Sequence, residues 1–459
     1  MSEQAFFATQ TQIKESLGLK KLPLIRNKHY KKDGRKSYLH VLRRFGFEPT
    51  QPGPYGFEEL KHLEQRGLAG GAVRIGGRAR LAETHSLVKK TPTGNVPVAA
   101  EDIQNDSMYL VNVPIGTPSQ TLSLDFDTGS YDLWVFSTEL PAATQKSHNN
   151  FDTTKSSTWQ ALSGYTWSIT YGDKSSASGN VGTDVVNLGG LQVKNQAIEL
   201  AQKLSAQFAS GSGDGLLGLA WPSINTVKPK QQLTPVANLI SQGALPANAQ
   251  LFTSAFYSDR DAGAQSFYTF GWVDQSLVTA SAKAIAWTPI DNTGGFWQFP
   301  STSAVINGKS IPLSGNTAIA DTGTTLALLS DTVVKALYAQ IPGAKYDANQ
   351  QGYLIPTTVA AQQLPTFSVA VGDNQFVIQP EDLVFALADS THWYGAIQSR
   401  GSNPFDILGD AFLKSVYAIW DQGNVRFGLV PKIQPTQNLT PAPGDTGSSN
   451  VAGSTVVRD

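Results

Sequence analysis

The sequence predicts an all-β protein with two similar lobes, and three observations predict it. First, the 459 residues include 42 Gly and 25 Pro and break into many short apolar stretches, a pattern of strands and turns. Second, apolar and polar residues alternate where a strand is exposed on one face: Trp167, Ile169 and Tyr171 sandwich Ser168 and Thr170. Third, a faint repeat divides the chain. Asp127-Thr128-Gly129 is followed 91 residues after its Asp by the end of Leu216-Leu217-Gly218, and Asp321-Thr322-Gly323 is followed 88 residues after its Asp by the end of Ile407-Leu408-Gly409. Two such lobes would set two Asp turns across a pseudo-two-fold axis.

In chain order, residues 1–95 form a basic arm, 96–275 and 276–432 the two β lobes, and 433–459 a polar tail. Residues 1–90 hold 18 Lys+Arg against 8 Asp+Glu, while the net charge of the whole chain is −1. A basic arm can bind nucleic acid or its own acidic body, and the near-cancellation favours the body; a solvated tail with no partner stays open. Ser37-Tyr38-Leu39-His40-Val41-Leu42-Arg43-Arg44-Phe45 has helical spacing. Lys89 to Pro97 reads as an exposed linker, with Lys89-Lys90 a plausible cutting site. Met1 to Phe7 lacks the basic start and apolar core of a secretory signal, and no stretch is long enough to span a membrane.

Within the body, Gly172-Asp173-Lys174-Ser175-Ser176 is a turn that folds the Trp167–Tyr171 strand back as a hairpin. Thr234-Pro235 can start a helix that Gly243 ends, and Asp331 can cap another. The tail is rich in Thr, Pro, Gly and Ser and predicts disorder. Asn105 and Asn438 open glycosylation sequons. With no Cys there is no disulfide, Cys–zinc site or thiol nucleophile, and four of the six His fall in the first 90 residues, so no cofactor or metal is expected. The Gly-x-Ser-x-Gly elbow and the His-Glu-x-x-His helix are both missing.

The chemistry rests on the two Asp turns. Leu122-Ser123-Leu124-Asp125-Phe126 precedes Asp127, and Ala318-Ile319-Ala320 precedes Asp321. Each reads as a buried strand delivering a carboxylate to a tight turn. Two carboxylates face to face share one proton, so one is a base and the other an acid. Gly129 and Gly323 permit close backbone approach and offer N–H donors, and the hydroxyls of Ser130 and Thr324 can bond the outer carboxylate oxygens. A third copy, Asp445-Thr446-Gly447, follows no apolar strand and is assigned no function. Asp125 would face the same side as Asp127, either near a cleft or simply solvated.

These segments, with Ile115-Gly116-Thr117-Pro118, Leu133-Trp134-Val135, Tyr171-Gly172-Asp173, Asp214 to Ala220, Ser223 to Val227 and Ile407-Leu408-Gly409-Asp410, resemble the pepsin-like (family A1) aspartic endopeptidases, and most of all the fungal branch similar to penicillopepsin and aspergillopepsin. The resemblance implies a bilobal acid protease fold, two β-barrel-like lobes about a pseudo-two-fold with a cleft between. It implies Asp127 and Asp321 as the catalytic pair, acting through a water at acid pH, with apolar or aromatic residues preferred around the cut bond. Tyr171 would cap the flap and be bonded by Trp134. Gly172, Asp173, Gly129, Gly323, Thr324 and Thr325 would contact substrate, and Thr128 and Thr322 would bond across the two turns. Asp173 could also admit Lys before the cut, as in relatives that activate trypsinogen.

The resemblance further implies that residues 1–95 are an inhibitory prosegment. Asn27-Lys28-His29-Tyr30 and Arg43-Arg44-Phe45-Gly46 resemble its fungal pattern, and Arg44 falls where a Lys commonly reaches the catalytic pair. The partners would be protein substrates, the chain's own arm and pepstatin-type inhibitors, with the enzyme a secreted or vacuolar monomer bound to neither nucleic acid nor membrane. Relatives commonly have one disulfide in the second lobe, where this chain has none near Pro356 and Trp393. A non-catalytic binding protein of the same fold and an all-β carbohydrate-binding protein are the competing readings.

Overall fold

The structure, a computed structural model, describes residues 3–26, 30–59, 74–75, 78–79, 85–91, 94–97, 109–170, 176–209, 213–258 and 264–432. In the first half, strand Gln120–Asp127 buries Leu122, Leu124 and Phe126 on one face, as its alternation requires. It pairs antiparallel with Tyr109–Ile115, Val111 opposite Leu124 and Val113 opposite Leu122. Its other edge runs parallel to Gly215–Gly218, with Leu216 beside Asp125 and Gly218 beside Asp127.

The second half repeats this arrangement. Strand Thr317–Ala320 lies parallel to Asp406–Leu408, with Ala318 beside Asp406 and Ala320 beside Leu408. The faint sequence repeat is therefore a structural unit: each apolar-apolar-Gly stretch flanks the strand that delivers its Asp. The expected hairpin forms from Gln160–Thr170 and Ser176–Leu188, with Trp167 opposite Gly179 and Ile169 opposite Ala177.

A further layer joins the halves: Phe267–Phe270, Leu251–Ala255, Val416–Asp421, Arg426–Pro431 and Ala286–Pro289 are neighbouring strands. Its core is aromatic. Phe252 stacks on Trp420 at 5.5 Å, and Trp297 stands edge-on to both at 5.9 and 5.3 Å. This layer meets the first lobe through a strand of the basic arm, Leu22–Arg26. Leu22 pairs with Tyr268 on one side and Leu24 with Val111 on the other, so two exposed sheet edges are covered at once.

Two local expectations are corrected. The stretch read as an exposed linker contains paired strands: His85–Thr91 lies between Tyr55–Glu59 and Gly94–Pro97, with Lys89 opposite Tyr55 and Val96. The cap of helix Asp331–Tyr338 is Ser330, and Asp331 is its first helical residue, where the carboxylate accepts from Ser399 at 2.5 Å and Gln51 at 3.2 Å. Near Pro356 and Trp393, where the sequence offers no cysteine for a second-lobe disulfide, Ile355 and Trp393 are direct antiparallel partners and both are buried. The tail, both sequons and Asp445 lie outside the described residues.

Candidate active site

Asp127 and Asp321 are buried and face one another where the two halves meet. Their turns are built alike. Gly129 N–H donates to Asp127 Oδ1 at 2.9 Å, and Gly323 N–H donates to Asp321 Oδ1 at 3.1 Å. Each glycine lies over the opposite carboxylate: a Cβ on Gly129 would strike Asp321, and one on Gly323 would strike Asp127. Thr128 and Thr322 bond reciprocally, each backbone N–H donating to the other's Oγ1 at 3.0 Å.

The symmetry breaks at the next residue. Thr324 Oγ1 donates to Asp321 Oδ2 at 2.6 Å. Ser130 was expected to do the same for Asp127. Its buried Oγ stands beside that carboxylate and favours the charged form, but closes no hydrogen bond of full geometry. Both Asp127 oxygens already accept from Arg44 Nη2, at 2.7 and 2.8 Å.

Arg44 arrives on helix Gly34–Phe45 of the basic arm. Asp33 caps this helix by accepting from Lys36 N–H at 3.0 Å, and its amphipathic face buries Tyr38, Leu39, Val41, Leu42 and Phe45. Gly46, at φ +61°, closes the helix by donating to Leu42 O at 2.8 Å. The last turn thereby delivers Arg44 to the carboxylates. Besides Asp127, Nη2 lies 3.4 Å from Asp321 Oδ1, and Nη1 donates to Gly323 O at 3.0 Å.

The two carboxyls respond oppositely. Burial raises Asp127, but the Arg44 charge and hydrogen bond, with Ser130 and Gly129, outweigh burial and hold it below the ordinary carboxylate range. Burial and the neighbouring charge of Asp127 push Asp321 up to about 6, against the opposing effects of Arg44 and Thr324. The pair is thus poised to carry one proton, with its negative charge on Asp127 under the guanidinium.

Beyond Arg44 the arm runs along the second lobe. The Phe45 ring packs against Phe296 at 5.9 Å and Phe405 at 6.3 Å, and those two rings lie 5.8 Å apart. Glu48 and Ser402 exchange two bonds of 2.8 Å, and Gln351 brackets Tyr55 with bonds of 3.0 and 2.9 Å. At the far end, Lys21 bonds Asp274 at 2.5 Å and lies over Phe267, and Lys14 lies 4.3 Å over Trp272. Two arm cations thus contact the region Phe267 to Asp274.

Thr324 and Thr325 are buried beside the pair, and their carbonyls accept from Asp410 and Ala411 N–H at 2.7 and 3.1 Å. Trp134 stacks on Trp167 at 6.0 Å and meets Phe208 edge-on at 5.7 Å. Tyr171, Gly172 and Asp173 lie outside the described residues, as does the bond expected between Tyr171 and Trp134. Asp125 is half-buried, not simply solvated, and lines a small cavity with Leu24, Tyr268, Thr322 and Asp410. The arm strand Leu22–Arg26 and the Phe296–Phe405 pair were not anticipated. Alternating Leu22 and Leu24 offered a weak signal for the strand, and nothing in the spacing links Phe296 with Phe405.

Residues 108–432 match the family model described as eukaryotic aspartyl protease. Aspergillopepsin-1 of Aspergillus pseudoglaucus is 39% identical over 390 residues, spanning 83% of this chain and 94% of that protein. Penicillopepsin-1 of Penicillium janthinellum is 42% identical over 340 residues, 74% of this chain and 98% of its own. Among solved structures, the aspartic proteinase from Irpex lacteus superposes with a TM-score of 0.58 at 28% identity, covering 72% of this chain and 96% of that one. Paired Asp turns on a doubled β framework and likeness along nearly the whole body lead to one conclusion: this chain belongs to the eukaryotic aspartyl proteases, the pepsin-like aspartic endopeptidases.

Proposed function

We propose that this enzyme is an acid-acting endopeptidase made as a zymogen, with Asp127 and Asp321 as its catalytic pair and residues 1–95 as the prosegment. The observation that carries this reading is Arg44, which bonds Asp127 at 2.7 Å and approaches Asp321 at 3.4 Å. A guanidinium there occupies the place of substrate and water, and the Phe45 ring beside it occupies the aromatic pocket of Phe296 and Phe405.

Once the arm departs, a water held between the carboxylates loses a proton to the ionised one while its oxygen attacks the scissile carbonyl carbon. The protonated partner gives its proton to the carbonyl oxygen, leaving a tetrahedral diol. The newly protonated carboxyl then gives a proton to the peptide nitrogen while its partner takes one from a diol hydroxyl, so the C–N bond breaks, acid and amine leave, and the pair again holds one proton. Only the singly protonated pair does this, so activity belongs to the acid range. The Phe296–Phe405 pocket supports a preference for apolar or aromatic residues next to the cut. Release from the cell is part of this reading, and detection of the enzyme in the medium rather than the vacuole would support it.

The test is cleavage of a denatured protein from about pH 3 to 7 by the acid-treated chain, with and without pepstatin, beside an Asp321→Asn variant. Acid-range cleavage that pepstatin blocks and the variant lacks is expected. A folded chain, freed of its arm, that cuts nothing would overturn the reading.

A further inference from the structure

His148 has no role in the chemistry above, yet it is built into a demanding site. Its side chain is 3% exposed, and its ring lies flat on Phe136, with centroids 3.9 Å apart and planes inclined by 19°. Nδ1 is 3.1 Å from the carbonyl oxygen of Gly213, and Nε2 is 3.3 Å from that of Ala209. Backbone carbonyls only accept, and a neutral imidazole has one N–H to give. One of the two contacts would then set a lone pair against a carbonyl oxygen. The imidazolium satisfies both.

The surroundings favour that charge. Asp214 Oδ1 lies 3.8 Å from Nδ1, and this carboxylate is held by Ser123 N–H at 2.8 Å and by Asn149 through its N–H and Nδ2, both at 2.9 Å. The nearby Lys146 is exposed. Among the described residues, Asp214 is the charged group that pairs with the ring.

The two carbonyls connect the ring to a buried aromatic cluster that follows the Asp127 turn. Ala209 ends the short helix Ala206–Ala209, which carries Phe208 edge-on to Trp134 at 5.7 Å. Trp134 follows the Asp127 turn and stacks on Trp167, in the strand that leads to Tyr171. We propose that His148, doubly protonated, is a positioning residue for substrate binding: it staples Ala209 and Gly213 and so sets Phe208 against the Trp134–Trp167 wall. The proposal rests on the acid endopeptidase reading.

Two measurements test it. In the pepstatin-bound chain freed of its arm, ¹⁵N spectra of the histidine rings should show both His148 nitrogens protonated across the active pH range. Kinetics on a peptide with an aromatic residue at the cut should show KM raised about three- to tenfold, with kcat within about twofold, in His148→Phe and His148→Gln. A ring with only one protonated nitrogen in the pepstatin-bound chain, or the same KM in all three proteins, overturns the proposal. Should a variant fail to fold, the spectra of the unaltered chain decide alone. Pepstatin-sensitive cleavage by that unaltered chain separately reports whether the endopeptidase reading stands.

Discussion

Thr128 and Thr322, 194 residues apart, form a closed hydrogen-bonded square across the two halves. Each N–H donates to the other's Oγ1 at 3.0 Å. Each Oγ1 in turn donates to a carbonyl of the opposite strand, Thr128 to Ala320 at 3.1 Å and Thr322 to Phe126 at 2.6 Å. The separation of the carboxylates is therefore set by four bonds between buried groups, not by either lobe alone. Thr322→Val leaves the Thr128 N–H unpaired and removes the shorter of two bonds to the Phe126 carbonyl, leaving only that from Tyr268 at 3.4 Å, and should destabilise by about 1–3 kcal/mol in denaturant unfolding. Combined with Thr128→Val, the effects should be non-additive by about 0.5–3 kcal/mol; simple additivity would show that the square is not a unit.

Arm release should begin below about pH 4. For Asp127 and Asp274, burial raises the carboxyl, but Arg44 and Lys21 respectively outweigh it and hold each below its ordinary value. A depressed carboxyl stabilises the docked arm while ionised, and that contribution disappears as pH falls through its lowered value. For folding, Asp321 has the opposite sign: raised to about 6, it favours the folded state at low pH and loses that contribution as pH rises. Binding of labelled pepstatin against pH reports the opening. An onset at pH 5–6 would assign release to other groups.

Arg44→Ala should uncover the cleft well above that pH. It strands the buried Asp127 charge, a loss of about 3–5 kcal/mol to the docked state. Gly46→Ala should act in the same direction by about 1 kcal/mol, because Gly46 holds φ +61° where a Cβ is unfavourable. The same pepstatin assay ranks the two, and equal onsets in both variants and the unaltered chain would remove Arg44 from the latch.

Phe405→Ala should cut the preference for aromatic over small residues at the scissile bond roughly tenfold in kcat/KM. Phe405 and Phe296 are the rings that receive Phe45. Paired peptides differing only in that residue measure the ratio, and an unchanged ratio would place the aromatic pocket elsewhere.

Asp173→Ser should selectively reduce cleavage after Lys. Asp173 lies in the sequence between strands Gln160–Thr170 and Ser176–Leu188; its carboxylate can meet an ammonium, and serine keeps the polarity without the charge. Trypsinogen activation measured beside cleavage at aromatic residues provides the contrast, and an equal loss for both would refute the pairing.

Local chemistry is legible in the residue order. The strand–turn pattern, the Asp turns with their glycines, the hairpin Gln160–Leu188 and the helix ending at Phe45 all follow from residues within a few positions of one another. Where local reading erred, an alternative pairing had prevailed. Lys89 to Pro97 has linker composition, yet these residues gain strand partners. Ser130 and Thr324 look equivalent, yet Arg44 takes both oxygens of Asp127 and none of the sequence around Ser130 announces it.

Composition and near-neighbour spacing are enough to encode the all-β framework, the two carboxylate turns and the opposite charges of arm and body. Folding in three dimensions was needed to bring Arg44, 83 residues from Asp127 and 277 from Asp321, onto both. It was needed too for the two carboxyls to differ in proton affinity, for Leu22–Arg26 to complete the sheet between the halves, and for Phe296 and Phe405 to form one pocket. Burial, charge proximity and ring packing depend on distances through space between residues far apart in the chain, and those distances exist only once the core has closed.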